Sequence, residues 1–389
     1  MFDFDRKLEP PGSGGLKWDY AAAKYGAPDL LAMWVAEMDF PAPPAVLEAI
    51  RHRAESGVFG YTFSDNAYTS AIVDWLARRH GWAIKPDWLA HAPGVVPALH
   101  YCVQAFTQPG DQVLIPTPVY PPFKEVVERN DRRLVCHELT ADENGRYRMN
   151  MDELERQLAG GVKLLLLCSP HNPVGRVWTP DELEAVGRLA EAYGVIVASD
   201  EIHADLVFAP HTHTPFARLS ETLAARTVVC ISPSKAFNLA GLQSASVVIA
   251  DRKLRLAYRQ AVQRAFIGAP NTFALVATTA AYREGEAWLD ACLAYIRGNI
   301  ALLRSWVDER FPQLRFAEPE GTYLVWLDCR KLGLSNAELH EFFVQRARIA
   351  VNFGDTFVAG GDGFVRLNLA CPRAVLEEAL ERLEAALRA

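Results

Sequence analysis

The chain has 389 residues, half of them apolar, which is enough to bury a substantial core and to divide into a large and a small unit. Its 40 basic and 47 acidic side chains leave a net charge of -7, and no Lys/Arg-rich run offers a footprint for a phosphate backbone, so nucleic acid is not expected as a partner. Met1 to Pro10 is charged where a secretion signal needs an apolar core, and no apolar run approaches a bilayer span, so a cytoplasmic setting with no membrane partner is expected.

Along the chain, Pro10 to Gly15 is rich in Pro and Gly and is expected to be a loose surface arm. His91-Ala92-Pro93-Gly94-Val95-Val96-Pro97 then runs as a Gly-containing turn into a predicted helix, Pro97 to Phe106. Free amides at a helix start suit an anion, and Gly allows close backbone approach, although an ordinary turn reads the same way. From Asp111 to Ala250 short β-rich apolar runs alternate with amphipathic stretches, the rhythm of a mostly parallel sheet. The clearest strands are Val113 to Ile115, Leu164 to Cys168, Val195 to Ala198, Val228 to Ile231 and Ser246 to Ile249. Thr179-Pro180-Asp181-Glu182 supplies an N-cap, a Pro at the first helical position and early acidic residues, predicting a helix through Tyr193.

After about Ala280 the texture changes to long helical stretches, then strands at Tyr323 to Leu327 and Phe364 to Leu369. Helices are expected near Asn336 to Arg346 and from Arg373 to Leu387, which together suggest a second, α+β unit. Seven cysteines are scattered through apolar segments with no CxxC pair, the pattern of reduced core residues, not of a disulfide framework or zinc site.

In an open parallel sheet, ligands bind beyond the carboxyl ends of the strands. There the sequence delivers Ser169-Pro170-His171-Asn172-Pro173, Ser199-Asp200-Glu201-Ile202-His203 and Ser232-Pro233-Ser234-Lys235, so an Asn, an Asp and a Lys converge on one edge. Asp200 and Lys235 could alternatively form a structural ion pair. Other site chemistries are weaker. Ser232 to Lys235 contains SxxK, but no KTG follows. His211 and His213 with Asp200 and His203 lack helical metal-ligand spacing, and no metal is expected; the two later histidines are expected at the surface.

Ser232-Pro233-Ser234-Lys235-Ala236-Phe237-Asn238-Leu239-Ala240-Gly241-Leu242, Asn172-Pro173 with Gly175, and Asp200 with His203 resemble, in order and spacing, the motifs of the fold type I pyridoxal 5'-phosphate (PLP) enzymes, the aspartate aminotransferase superfamily. Met33-Trp34-Val35-Ala36-Glu37-Met38-Asp39-Phe40-Pro41, Gly60-Tyr61 and the stretch Arg366 to Arg373 look like its MalY/PatB branch, whose members are cystathionine β-lyases and related carbon-sulfur lyases.

The resemblance implies an α/β fold with a large domain, a mostly parallel sheet between helices, and a small α+β domain. The expected bounds are an N-terminal arm and part of the small domain over 1–45, a large PLP-binding domain over 46–280 and a C-terminal small domain over 281–389. It implies that Lys235 holds the cofactor covalently and moves the substrate's Cα proton, and that Asp200 keeps the ring nitrogen protonated. Asn172 and His203 would bond the phenolic oxygen, Tyr120 would stack on the ring, and Gly94, Val95, Val96, Ser232 and Ser234 would cradle the phosphate. Tyr61 would reach the phosphate of a neighbouring subunit in a homodimer with shared sites. Arg366 would clamp the substrate carboxylate, and Asp39 is also expected on the substrate side. Aminotransferases of the superfamily usually carry an Arg eight residues beyond the lysine; this chain has Gln243, which tilts the reading from transamination towards β-elimination on a small sulfur-containing amino acid. An aminotransferase, or a regulatory protein that retains the fold, are the alternatives.

Overall fold

The computed structural model describes residues 2–8 and 12–388. Its largest sheet has seven strands: β1 (Leu89–Ala92), β2 (Gln112–Thr117), β3 (Arg133–Glu138), β4 (Val162–Cys168), β5 (Ile196–Asp200), β6 (Thr227–Ile231) and β7 (Ala245–Val248), in the spatial order β1-β7-β6-β5-β4-β2-β3. The pairs from β3 to β6 are parallel, whereas β7 runs antiparallel to both β6 and β1. All five strands read from the sequence are present, their ends moved by no more than two residues. The two further strands, β1 and β3, lie at the sheet edges.

Both faces of this sheet are covered. One packs on α1 (Val95–Phe106) through Leu99, Val103, Val113 and Leu166, the other on α2 (Pro180–Ala192) through Leu165, Val197, Leu183 and Val186. This two-sided burial explains why the central strands are continuous apolar runs. The N-terminus of α2 is closed by a capping box in which Thr179 and Glu182 satisfy each other's backbone amides, with Pro180 at the first position. Helix α1 starts at Val95, two residues before its expected start, with Gly94 as N-cap.

A second body is organised around the 25-residue helix α3 (Glu286–Arg310), the terminal helix α4 (Arg373–Arg388) and a three-stranded antiparallel sheet. That sheet has the order β8 (Leu324–Asp328), β10 (Phe364–Asn368), β9 (Asn352–Phe353). The helix expected near Asn336 to Arg346 is an α-helix over Asn336–Glu341 that widens into a π turn over Phe342–Arg346. Leu31–Ala32 pairs in parallel with Ile349–Ala350, which ties this short stretch to the second body.

Of the expected surface arm, Pro10 and Pro11 lie outside the described residues. Gly12 to Gly15 are not loose: the amides of Gly12, Gly14 and Gly15 all donate to the Asp19 carboxylate, and these bonds fix the turn. The seven cysteines are free, six of them buried and Cys136 half-buried. No helix among the described residues is long and apolar enough to cross a membrane.

Candidate active site

The carboxyl ends of β4, β5 and β6 open into a chamber of about 310 Å³ that is closed on the far side by the 34–36 segment and by β9 and β10. Parallel register is what assembles it. Cys168 pairs with Asp200 and Asp200 with Cys230, so the three strands end level and release their polar continuations at one edge. Asn172, Asp200, His203, Ser234 and Lys235 all line this chamber, joined by Gly94, Val95 and Val96 from the start of α1, Tyr120 beyond β2, and Arg366 from β10.

Asp200 and Lys235 do not form the alternative ion pair; among the described residues no salt bridge joins them. The Lys235 ammonium donates instead to the Ala36 carbonyl at 2.6 Å, and the Tyr323 hydroxyl donates to the same oxygen at 2.9 Å. Burial, with repulsion from Arg366 second, lowers the Lys235 amine to about 8, against opposing attraction from Glu37 and Asp200. Burial raises Asp200 to about 7, although its Oδ1 accepts the Ile202 amide at 3.0 Å. His203 is pushed down to about 3 by burial, then by Lys235 and Arg366, so its imidazole is neutral, and its Nδ1 is buried without a hydrogen-bond partner.

Arg366 is 3% exposed and has no carboxylate partner among the described residues. Its Nη1 donates to Asn172 Oδ1 at 3.0 Å, and Nη2 donates to the Trp34 carbonyl at 3.0 Å and Asn352 Oδ1 at 2.6 Å; Nε is unpaired. Antiparallel register explains the Asn352 contact, because Asn352 lies directly opposite Arg366 across the β9–β10 ladder. Burial pulls the guanidinium down to about 10. A buried cation bonded only to neutral acceptors is a receptor for an anion.

The chamber's outer wall is a strap, residues 33–40, fastened from both sides. Asn368 Nδ2 on β10 bonds the carbonyls of Val35 and Glu37. From the other body, Asn238, three residues beyond Lys235, takes the Met38 amide and donates to the carbonyls of Met38 and Phe40. Asn238 adopts a left-handed backbone (φ 57), which Asn tolerates better than most residues.

Three expectations, for Ser232, Asp39 and His213, need correction. Ser232 does not line the chamber: its hydroxyl donates to the Ser244 carbonyl at 2.6 Å and accepts the Ser234 amide, holding the turn from behind. Asp39 is directed away from it, with its carboxylate taken by the buried Lys17 ammonium at 2.9 Å and the Trp18 indole at 3.0 Å. Tyr61, expected to serve a neighbouring subunit, is fully exposed on its own chain. His213 is buried, not at the surface, because its Nε2 bonds the buried Glu201 carboxylate at 2.9 Å; His211 is exposed as expected.

The sequence reading also passed over Ser244, whose buried hydroxyl faces the chamber unpaired, and Leu16, Trp34 and Asn352, which line it. Gln243 lines it as well. Adjacency to Gln243 could have flagged Ser244; Leu16 and Asn352 carry no local signal.

The family model for aminotransferase class I and II matches residues 28–383. The cystathionine beta-lyase PatB of Bacillus subtilis (strain 168) is 42% identical over 386 residues, covering 99% of this chain and all of that protein. Protein MalY of Escherichia coli (strain K12) is 36% identical over the whole of both chains. Among solved structures, cystalysin from Treponema denticola, which contains a pyridoxal 5'-phosphate cofactor, superposes with a TM-score of 0.97 at 34% identity, covering 100% of this chain and 99% of that one.

Proposed function

Because the chain belongs to the class I and II aminotransferase family, we propose that it is a pyridoxal 5'-phosphate-dependent carbon-sulfur β-lyase that converts L-cystathionine or a related cysteine S-conjugate, with one water, into a thiol, pyruvate and ammonia. The observation that carries this reading is Arg366, a buried guanidinium without an acidic partner among the described residues, lining the same chamber as Lys235, whose amine burial lowers to about 8.

The chamber's unsatisfied groups fit the cofactor. Among the described residues Asp200 is a buried carboxylate with no salt bridge, suited to a protonated ring nitrogen, and His203 Nδ1 and the Ser244 hydroxyl are buried without partners. The Val95 and Val96 amides at the start of α1, with Ser234 and Ser244, would hold the phosphate. Asn172 and His203 would bond the phenolic oxygen, and Tyr120 would cover the ring. When bound, PLP supplies an aldehyde that captures an amine and a ring that takes up the electron pair left at Cα.

Lys235 would hold that aldehyde and, once displaced by the substrate amine, remove the Cα proton; its lowered amine basicity leaves a larger neutral fraction for this step near neutral pH. Arg366 would orient the substrate by gripping its α-carboxylate, while Asn172 and Asn352 keep the guanidinium plane in place. The Cβ–S bond then breaks with its electron pair on sulfur, which takes up a proton to leave as the thiol. Gln243, neutral where the superfamily's aminotransferases usually hold an Arg, supports elimination over transamination.

The same reading makes the protein a homodimer. Val58, Phe59, Tyr61, Phe63 and Phe266 are large apolar side chains left exposed on one chain, a surface that a second copy would cover, taking Tyr61 to the neighbouring phosphate site.

Purified protein supplied with PLP is expected to show a yellow absorption band that borohydride abolishes, and to release pyruvate and a free thiol from L-cystathionine with no keto acid present. A protein indifferent to PLP would overturn the proposal. Turnover only when a keto acid is added would reassign it as an aminotransferase.

A further inference from the structure

We infer that the preferred substrates of this site are cysteine thioethers whose sulfur substituent is apolar or aromatic, and that a charged distal group, such as the second amino-acid end of cystathionine, is disfavoured. This rests on the lyase reading above and narrows its substrate class.

The charges of the chamber carry the argument. Among the described residues, its lining contains two cations, Lys235 and Arg366, and one carboxylate, Asp200. The proposed reaction uses all three: Lys235 and Asp200 on the cofactor and Cα, Arg366 on the α-carboxylate. None of the lining charges is left for the distal ammonium and carboxylate of cystathionine; Glu37, on the strap and close enough to attract Lys235, does not line the chamber. Two further lysines that contact the strap or its neighbours are already placed. Lys17 is 1% exposed and paired with Asp39, and the Lys24 ammonium lies 5.1 Å from the Trp34 ring centroid without lining the chamber.

The route outward is equally uncharged. The exposed lining residues are Leu16, Tyr120, Ala240 and Gln243, and the lining also includes the uncharged Trp34, Val35 and Val96. Stretches 57–63 and 265–271, which form the exposed apolar surface proposed for the dimer, contain no charged residue either, so a second copy seated there adds aromatic rings and no ion partner from those stretches. A distal zwitterion drawn into this wall loses water without gaining an ion pair, whereas an alkyl or benzyl group gains apolar burial.

The test is a comparison of kcat/KM on the PLP-loaded enzyme for S-benzyl-L-cysteine, S-propyl-L-cysteine and L-cystathionine, followed by pyruvate release. Benzyl thiol and homocysteine are thiols of similar acidity, so the leaving group does not decide their ratio. S-Benzyl-L-cysteine is expected to exceed L-cystathionine by about tenfold or more, within the range that apolar pocket contacts supply. Equal values, or a preference for cystathionine, would overturn this inference and leave the lyase reading standing. No pyruvate from any of the three would sink both.

Two further measurements separate recognition from turnover. In the Lys235→Ala variant, tryptophan fluorescence should report tighter binding of S-benzyl-L-cysteine than of L-cystathionine; the reverse order would count against the inference. Leu16→Arg places a cation at the rim and should raise the ratio of kcat/KM for cystathionine to that for S-propyl-L-cysteine several-fold, and an unchanged ratio would likewise overturn it.

Discussion

Arg366 and Asp200 show how burial turns ordinary side chains into receptors. The guanidinium is held by two amide oxygens and a carbonyl, so it is oriented but not neutralised. A lysine there keeps the charge but cannot reach those three acceptors in one plane. Arg366→Lys should therefore raise KM by roughly 10- to 100-fold, the equivalent of losing one charge-assisted contact of about 1.5–3 kcal/mol, with a smaller effect on kcat. Steady-state kinetics on an S-alkyl cysteine checks it.

Asp200, raised by burial from 3.8 to about 7, has a signed consequence for the cofactor-free protein. Between those values the native state holds a proton that the unfolded state has released, so this group's contribution to stability falls as pH rises from 4 to 7. Urea unfolding of apoprotein at pH 5 and pH 7.5 should show that loss, and Asp200→Asn should flatten it. At this scale much was legible: Asn172, Asp200, His203, Ser234 and Lys235 follow strand ends, where sequence position alone implies convergence. Asp39 was not, because its partner Lys17 lies 22 residues earlier and only the fold brings them together. Ser232 was misread for a similar reason, its hydroxyl being claimed by the Ser244 carbonyl.

The elements divide by how much of their fate is local. Central strands, buried on both faces, appear as unbroken apolar runs and were found to within two residues. Edge strands β1 and β3 are only partly buried and carry His91, Arg133, His137 and Glu138, so they lack that signature. The antiparallel direction of β7 is set by pairing with β1, not by its own residues. Thr322, a β-branched residue at φ 69 just before β8, was also invisible; its Oγ1 accepts the Leu324 amide at 3.1 Å, which supports the turn. Gly175 is the clearest case where a turn requires its residue. It sits at φ 69, a Cβ there would lie 2.7 Å from Pro319 Cβ, and its carbonyl accepts the amides of Glu320 and Gly321. Gly175→Ala combines left-handed strain with overpacking and should destabilise the protein by roughly 2–4 kcal/mol. Denaturant midpoints would register it, whereas a change within experimental error would show that the turn relaxes freely.

At the scale of the molecule, the exposed apolar surface around Tyr61 makes subunit exchange informative. Neither Lys235→Ala nor Tyr61→Ala homodimers should approach wild-type turnover. A mixture refolded together should recover activity, because each mixed dimer contains one site with both residues intact; no recovery would argue that sites are not shared. No sequence pattern reveals the other long-range relation, the strap at 33–40. It is bonded to β10 through Asn368 and Arg366 and to the lysine segment through Asn238, so the two bodies of the protein hold opposite sides of one short length of chain. A hinge cannot open freely across a tether clamped at both ends: any swing of the small sheet must drag the Lys235 turn with it, break the three bonds of Asn238, or release the strap from Asn368 and Arg366. Breathing of the cleft is thereby geared to the position of the amine that performs the chemistry.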